Sequence, residues 1–147
     1  LNIPLEVKHQ SGKGKSLGIK ELYSSNISIE VEEFYDLPHE VIQWSDFIIS
    51  RAGALSLSEA VSLRRGSLMI PLPSAIDNHQ FLNAAYISDL DMGLIHTELE
   101  SAESLSQKLI HIIEKKLYLK WSETESNLDH FQAAGTMLSS ILKFKNI

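Results

Sequence analysis

The stretch FIISRAGALSLSEA, residues 47–60, decides the fold of this protein. Its first four residues, Phe47–Ser50, form a compact apolar run that is typical of a buried strand. Gly53 then allows a tight turn, and Leu55–Leu63 follows at helical spacing, with Gly66 just past the predicted helix end. A buried strand that leads directly into a helix is the repeating unit of a parallel α/β sheet.

The same alternation extends outward on both sides of this stretch. Apolar runs predict four further strands, at Leu5–His9, Ile27–Phe34, Leu68–Leu72 and Met92–His96. Helical spacing predicts further helices at Lys15–Ser24, Pro38–Trp44, Asp77–Ser88, Ser101–Lys116 and Ser126–Lys143. Parallel strands joined by helices in right-handed crossovers give one Rossmann-like sheet flanked by helices. We therefore expect an α/β fold in which residues 1–147 form a single domain.

Composition excludes several classes of function. The net charge of −6 argues against a nucleic-acid binder, which needs a basic face. The chain has no cysteine, which excludes disulfides, thiolate metal sites and a cysteine nucleophile, and is typical of a cytoplasmic protein. No apolar run approaches the roughly 18 residues of a membrane span. The histidines outside the loops discussed below show no metal-ligand spacing, and we expect neither a metal nor a cofactor.

Ligands of such folds bind in the loops that follow the strands, and three loops are candidates. The first is HQSGKG, His9–Gly14, in which small residues and a lysine before a predicted helix suit a phosphate. It lacks the spacing of a Walker A loop, so a flexible turn is the alternative interpretation.

The second loop follows strand Phe47–Ser50. Free amides at a helix start near Gly53 favour an anion, and Ser56 adds a hydroxyl. Glu59, one helical turn beyond Leu55, can accept hydrogen bonds from a ribose diol. Together these groups indicate a nucleotide, while the alternative is a helix start with Glu59 as a solvated surface acid.

The third loop is PLPSAIDNHQ, residues 71–80, where polar side chains cluster at a predicted helix start. Asp77 is the predicted N-cap, and His79 and Gln80 fall in the first turn, where they can contact sugar hydroxyls. The alternative is a capped helix whose first turn carries ordinary surface residues.

Three segments together resemble the MurG family, the UDP-N-acetylglucosamine transferases of peptidoglycan synthesis. The segments are HQSGKG at His9–Gly14, EFYDLPHEVIQWSDFIISRAGALSLSEA at Glu33–Ala60, and IPLPSAIDNHQFLNA at Ile70–Ala84. The resemblance corresponds to the carboxyl-terminal, donor-binding half of a two-domain enzyme of GT-B type. It implies that this chain is a piece of a longer protein and that its sheet lacks a first strand.

The resemblance also implies roles for individual residues. The backbone of Tyr35 would meet the uracil, in a pocket shaped by Phe34 and Arg51. Glu59 would bind the ribose. The remaining substrate-binding residues would be Gly53, Ala54, Leu55 and Ser56 at the diphosphate and sugar, and His79 and Gln80 at the N-acetylglucosamine hydroxyls.

The activity implied by the resemblance is an inverting transfer of N-acetylglucosamine from UDP to lipid I, undecaprenyl-diphospho-N-acetylmuramoyl-pentapeptide, which yields lipid II. The acceptor site and the catalytic base would belong to the other domain, so this chain alone would be inactive. The whole enzyme would associate peripherally with the cytoplasmic face of the bacterial inner membrane. Two alternatives stay open: a related UDP-sugar transferase or epimerase, and a stand-alone nucleotide-sugar-binding module.

Overall fold

The computed structural model of the protein describes residues 3–73 and 78–124. The chain forms two compact units, Leu1–Trp44 and Ser45–Ile147. The expectation that residues 1–147 act as one domain stays a prediction. Among the described helices, none has both the length and the apolar character needed to cross a membrane.

The first unit contains a two-stranded parallel sheet of β1 (Leu5–Gln10) and β2 (Ile27–Glu32), with Leu5 opposite Ile27. In β2 half-buried apolar residues alternate with exposed polar ones, since successive side chains of a strand point to opposite faces. This confirms the predicted half-exposed strand. Helix α1 (Pro38–Trp44) begins at proline, whose missing N–H costs nothing in a first turn.

The helix predicted at Lys15–Ser24 is wrong. The segment is a loop with a single 3-10 turn at Lys20–Leu22. Gly18 lies inside it with a φ of +77°, whereas a helix requires a φ near −63°. A right-handed helix therefore cannot run through this position.

The second unit contains a three-stranded parallel sheet in the order β3 (Phe47–Ser50), β4 (Gly66–Met69), β5 (Gly93–Ile95). Its helices are α2 (Ala54–Ser62), α3 (His79–Asp89), α4 (Ala102–Glu114) and α5 (Leu117–Glu123). Strand β4 starts before the predicted Leu68–Leu72, because Gly66 and Ser67 are buried without being apolar. Helix α5 was not predicted, and the predicted helix at Ser126–Lys143 lies outside the described residues.

The described strands hydrogen-bond in two groups, β1–β2 and β3–β4–β5, rather than in the one sheet that the sequence predicts. Every pair is parallel, and an α-helix separates each strand from the next in sequence from β2 onward. The α/β class is therefore confirmed.

Strand β4 is at the centre of the second unit's core. Two consecutive residues of this strand, Leu68 and Met69, are fully buried, and their side chains point to opposite faces of the sheet. Leu68 packs with Ile112 and Trp121, while Met69 belongs to a second cluster with Ala52, Leu57, Val61, Ala84, Ile87 and Met92. The sheet is thus covered on both faces, as its apolar strands require.

Glycine does not mark the end of α2, contrary to the expectation for Gly66. The residue after the C-cap is Arg64, with a φ of +55°, and α3 ends in the same way at Asp91, with a φ of +56°. Both ends form the paired backbone bonds of a Schellman motif. These bonds are Arg64 N to Val61 O at 2.9 Å, Arg65 N to Ala60 O at 2.8 Å, Asp91 N to Ser88 O at 2.9 Å and Met92 N to Ile87 O at 3.1 Å.

Candidate nucleotide-binding site

Three loops of the second unit follow β3, β4 and β5 at the carboxyl ends of the strands. Backbone pairing continues past the strand ends, since Ile70 N donates to Ser50 O at 2.9 Å and His96 N to Met69 O at 2.8 Å. The loops therefore start side by side at one edge of the sheet. This is the edge at which ligands of parallel α/β folds bind.

The amino end of α2 has backbone amides without a hydrogen-bond acceptor among the described residues. Gly53 is the N-cap, and the first helical bond runs from Leu57 N to Gly53 O at 3.1 Å. The amides of Ala54, Leu55 and Ser56 donate no hydrogen bond within the described part of the chain, and no side chain caps them. Free amides at the positive end of a helix form a site for an anion such as a diphosphate.

The turn at Gly53 does not itself need glycine, so that part of the prediction is wrong. Its φ of −69° and ψ of 136° suit any residue. A Cβ at Gly53 would meet no atom of the described residues within 4 Å. What the absent side chain provides is open space beside the helix amides, through which a ligand can approach closely.

Glu59 lies on the side of α2 that faces away from the core. The helix buries Leu57, Ala60 and Val61, and at 100° per residue Glu59 projects from the opposite side together with Leu55. Leu55 is 74% exposed and Glu59 is half-buried. Within residues 3–73 and 78–124 the Glu59 carboxylate has no ion pair or hydrogen bond, so it is available to a ligand's hydroxyls.

Helix α3 lies beside the β3–α2 loop. Asn83 Nδ2 donates to Ala52 O at 3.1 Å, which ties α3 to the residue just before Gly53. The structure thus brings His79 and Gln80, one turn earlier in α3, to the same edge as the α2 amides. The tie through Asn83 was not anticipated, because it depends on a bond between residues 31 apart in sequence.

Gln80 is already partly engaged. Its Oε1 accepts from Leu72 N at 3.0 Å, which leaves the second lone pair of Oε1 and the amide NH₂ for a ligand. His79 is exposed. The predicted N-cap Asp77 lies outside the described residues, and Asn78, with a φ of +55°, precedes α3 without a side-chain cap.

Arg51 is held by two acceptors from neighbouring loops. Its Nη1 lies 2.5 Å from Glu98 Oε1 in the β5–α4 loop and 3.3 Å from Ile70 O after β4. Glu98 could not be identified from the sequence, because no local pattern links residues 47 positions apart.

Glu100 organises the β5–α4 loop. Its Oε1 accepts from Thr97 N at 2.8 Å, and its Oε2 accepts from Ser104 Oγ at 2.8 Å and from Lys108 Nζ at 2.5 Å. The hydrogen bond from Lys108, followed by those from Thr97 and Ser104, lowers the pKa of Glu100 to about 2. The carboxylate therefore stays ionised and keeps the loop in one conformation.

Tyr35 and Phe34 lie in the first unit, and their part in a uracil pocket stays a prediction. Tyr35 N donates to Gln10 Oε1 at 3.3 Å, which is long for a hydrogen bond to a side-chain amide. Burial, followed by the nearby Glu30 carboxylate, raises the pKa of Tyr35 to about 12. Its ring also lines a groove of about 440 Å³ with Lys8, Asp36, Leu37, Glu40, Val41 and Trp44.

The HQSGKG loop lacks the features of a phosphate site. No α-helix begins directly after it, since the next element in the chain is the single 3-10 turn at Lys20–Leu22. Gly12 N donates to Glu33 O at 3.0 Å and Gly14 N to Glu33 Oε1 at 2.8 Å. An acidic side chain thus occupies an amide that a phosphate would need. The alternative interpretation of this segment as a turn is the one that the structure supports.

The described residues contain no group of three or more His, Asp or Glu side chains that could hold a metal ion. The expectation that the chain binds no metal stays a prediction.

The fold is of the Rossmann-like α/β class, and the amino end of α2 lies at the carboxyl edge of the β3–β4–β5 sheet. The profile of the glycosyltransferase family 28 C-terminal domain matches residues 2–136, and the chain belongs to this family.

Among similar proteins, the chain is 31% identical over 142 residues to a protein of Alcanivorax borkumensis named UDP-N-acetylglucosamine–N-acetylmuramyl-(pentapeptide) pyrophosphoryl-undecaprenol N-acetylglucosamine transferase, covering 93% of this chain and 40% of that protein. It is 34% identical over 143 residues to the Rickettsia felis protein of the same name, covering 96% and 39%. It also resembles the crystal structure of Acinetobacter baumannii MurG, with a TM-score of 0.77 and 28% identity over 83% of this chain and 36% of that one. The chain spans about 40% of the length of these curated relatives.

Proposed function

We propose that this chain binds the donor UDP-N-acetylglucosamine, as the donor-binding half of an inverting transferase that converts lipid I to lipid II. The observation that carries the proposal is the amino end of α2. Three unclaimed amides there lie beside open space at Gly53, and the His79–Gln80 turn is tied to the same loop. The names of the two bacterial relatives support this donor and acceptor.

In this proposal the α2 amides hold the donor diphosphate. Negative charge grows on UDP as the bond to the sugar breaks, and fixed N–H dipoles stabilise that charge without having to reorient. Glu59 accepts hydrogen bonds from the ribose diol, since a carboxylate offers acceptors only. His79 and the amide NH₂ of Gln80 contact the sugar hydroxyls.

The remaining parts of the proposal concern the whole enzyme. Tyr35, Phe34 and Arg51 would each contribute to uracil recognition, as the resemblance implies. The acceptor and the catalytic base would be bound by the other domain, and the enzyme would associate peripherally with the cytoplasmic face of the inner membrane.

Titration calorimetry with UDP tests the donor site. We expect the chain to bind UDP, and Glu59→Ala to weaken binding by about 1.5–3 kcal/mol, the value of a hydrogen bond to a charged group. Glu114→Ala, which removes an exposed acid at the end of α4, is the matched control and should bind like the wild type. Equal affinity of Glu59→Ala and wild type would remove Glu59 from the ribose role, and absence of UDP binding by the wild type would refute the donor site.

A further inference from the structure

We propose that Glu98 is a positioning residue for the donor, acting through Arg51 on the loop that precedes α2. The inference rests on the proposed function. Glu98 does not itself touch the ligand in this proposal. It fixes the side chain of Arg51, and through it the loop that presents the α2 amides.

The ion pair joins three loops at one place. Arg51 lies two residues before the N-cap Gly53, and its Nη1 contacts Glu98 Oε1 at 2.5 Å and Ile70 O at 3.3 Å. The acceptors therefore come from the loops after β5 and β4, while the donor comes from the loop after β3. The side chains of Arg51 and Glu98 are 51% and 43% exposed, so the pair sits at the surface where a ligand can reach it.

Glu98 is presented by a rigid turn. Glu100 N donates to Thr97 O at 3.0 Å, which closes the turn around Glu98. The Glu100 carboxylate accepts from Thr97 N at 2.8 Å, and Lys108 Nζ bridges this carboxylate at 2.5 Å to Ile95 O at 2.7 Å. Little conformational freedom is left at residue 98, so its carboxylate holds Arg51 at a low entropic cost.

The β3–α2 loop is consequently fixed from two sides. Asn83 binds the Ala52 carbonyl from α3, and Glu98 binds the Arg51 side chain from the β5–α4 loop. A loop that is already ordered before binding leaves less entropy to be lost when the diphosphate arrives. Glu98 therefore contributes to affinity without contacting the donor.

A double-mutant cycle on UDP affinity tests this role. Exposed ion pairs are weak, so we expect Glu98→Gln to raise the Kd for UDP by about two- to fivefold. In an Arg51→Ala background, Glu98→Gln should have no further effect, because the group through which it acts is gone. High salt should shrink the difference between Glu98→Gln and wild type, since it screens the pair. Glu114→Gln, which removes one acid elsewhere on the unit, is the matched control.

Two outcomes would overturn the inference. One is a Glu98→Gln affinity equal to or tighter than that of the wild type, the tighter case meaning that Glu98 withholds Arg51 from the donor. The other is an equal loss in both backgrounds, which would indicate general destabilisation. Absence of UDP binding by the wild type refutes the proposed function as well, whereas wild-type binding with an unaffected Glu98→Gln refutes the positioning role alone.

Discussion

Among the residues that the structure describes, a methyl group at Gly53 would meet no atom within 4 Å, whereas at Gly66 it would lie 2.1 Å from a ring atom of Trp121. We expect Gly66→Ala to lower the free energy of unfolding by about 1–3 kcal/mol, because the buried indole has no room to move. Gly53→Ala should change it by less than about 1 kcal/mol, the difference between glycine and alanine at an N-cap. Urea unfolding of both variants measures this contrast.

The Gly53→Ala variant also tests ligand binding, since it is expected to leave the free energy of unfolding nearly unchanged. Gly53→Ala should weaken UDP binding because its methyl group enters the space beside the α2 amides. Unaltered UDP affinity in Gly53→Ala would mean that the diphosphate does not approach these amides.

The site residues that sequence could predict are those with a local signature. Gly53, Ser56 and Glu59 fall at a strand-to-helix junction, which spacing alone identifies. The partner of Arg51 could not be predicted, because the pairing with Glu98 depends on how three loops meet. Gln80 was predicted as a candidate, but its hydrogen bond to Leu72 N was not. The sequence does not show whether such a side chain will bond to the backbone or stay available to a ligand.

At the scale of elements, α2 and α3 end on non-glycine residues in left-handed conformation. This conformation costs an L-residue about 1–2 kcal/mol, while glycine adopts it freely but loses more entropy on folding. We expect Arg64→Gly to raise the free energy of unfolding by about 0.5–1 kcal/mol, the balance of these two effects.

Ser62→Gly is the matched control for this prediction. It places glycine in the last right-handed turn of the same helix, where it should cost about 0.5 kcal/mol relative to serine. Thermal unfolding that shows both variants shifted in the same direction would contradict the role assigned to Arg64.

Elements with a continuous apolar or helical pattern were predicted closely: Phe47–Ser50 and Pro38–Trp44 match β3 and α1 residue for residue. The failures have separate causes. Gly18 overrides a helical composition through its positive φ. Strand β4 is shifted to Gly66–Met69 from the predicted Leu68–Leu72, because the burial of Gly66 and Ser67 depends on tertiary packing.

At the scale of the whole molecule, Glu100 makes the free energy of unfolding depend on pH in the acidic range. Its pKa is lowered from 4.5 to about 2 by Lys108, Thr97 and Ser104. A carboxyl group with a depressed folded-state pKa stabilises the protein above its unfolded-state pKa and loses that contribution as pH falls toward the folded-state value. We expect wild type to exceed Glu100→Gln in stability at neutral pH, and the gap to narrow between about pH 4.5 and 2.

Urea unfolding of wild type and Glu100→Gln across this range measures the gap, with Glu114→Gln as a control for the loss of one negative charge. A gap that stays constant from neutral pH to pH 2 would show that the ionised carboxylate is not what stabilises the loop.

The anchors at Ala52 and Leu72 are main-chain atoms, a carbonyl for Asn83 and an amide for Gln80. Such anchors survive most changes of the amino acid that bears them, except that proline would remove the amide at position 72. Evolution can therefore exchange the side chains that line this edge while the anchoring geometry persists. Substitutions among those exposed side chains can therefore change what the edge contacts without moving the loops that Asn83 and Gln80 hold in place.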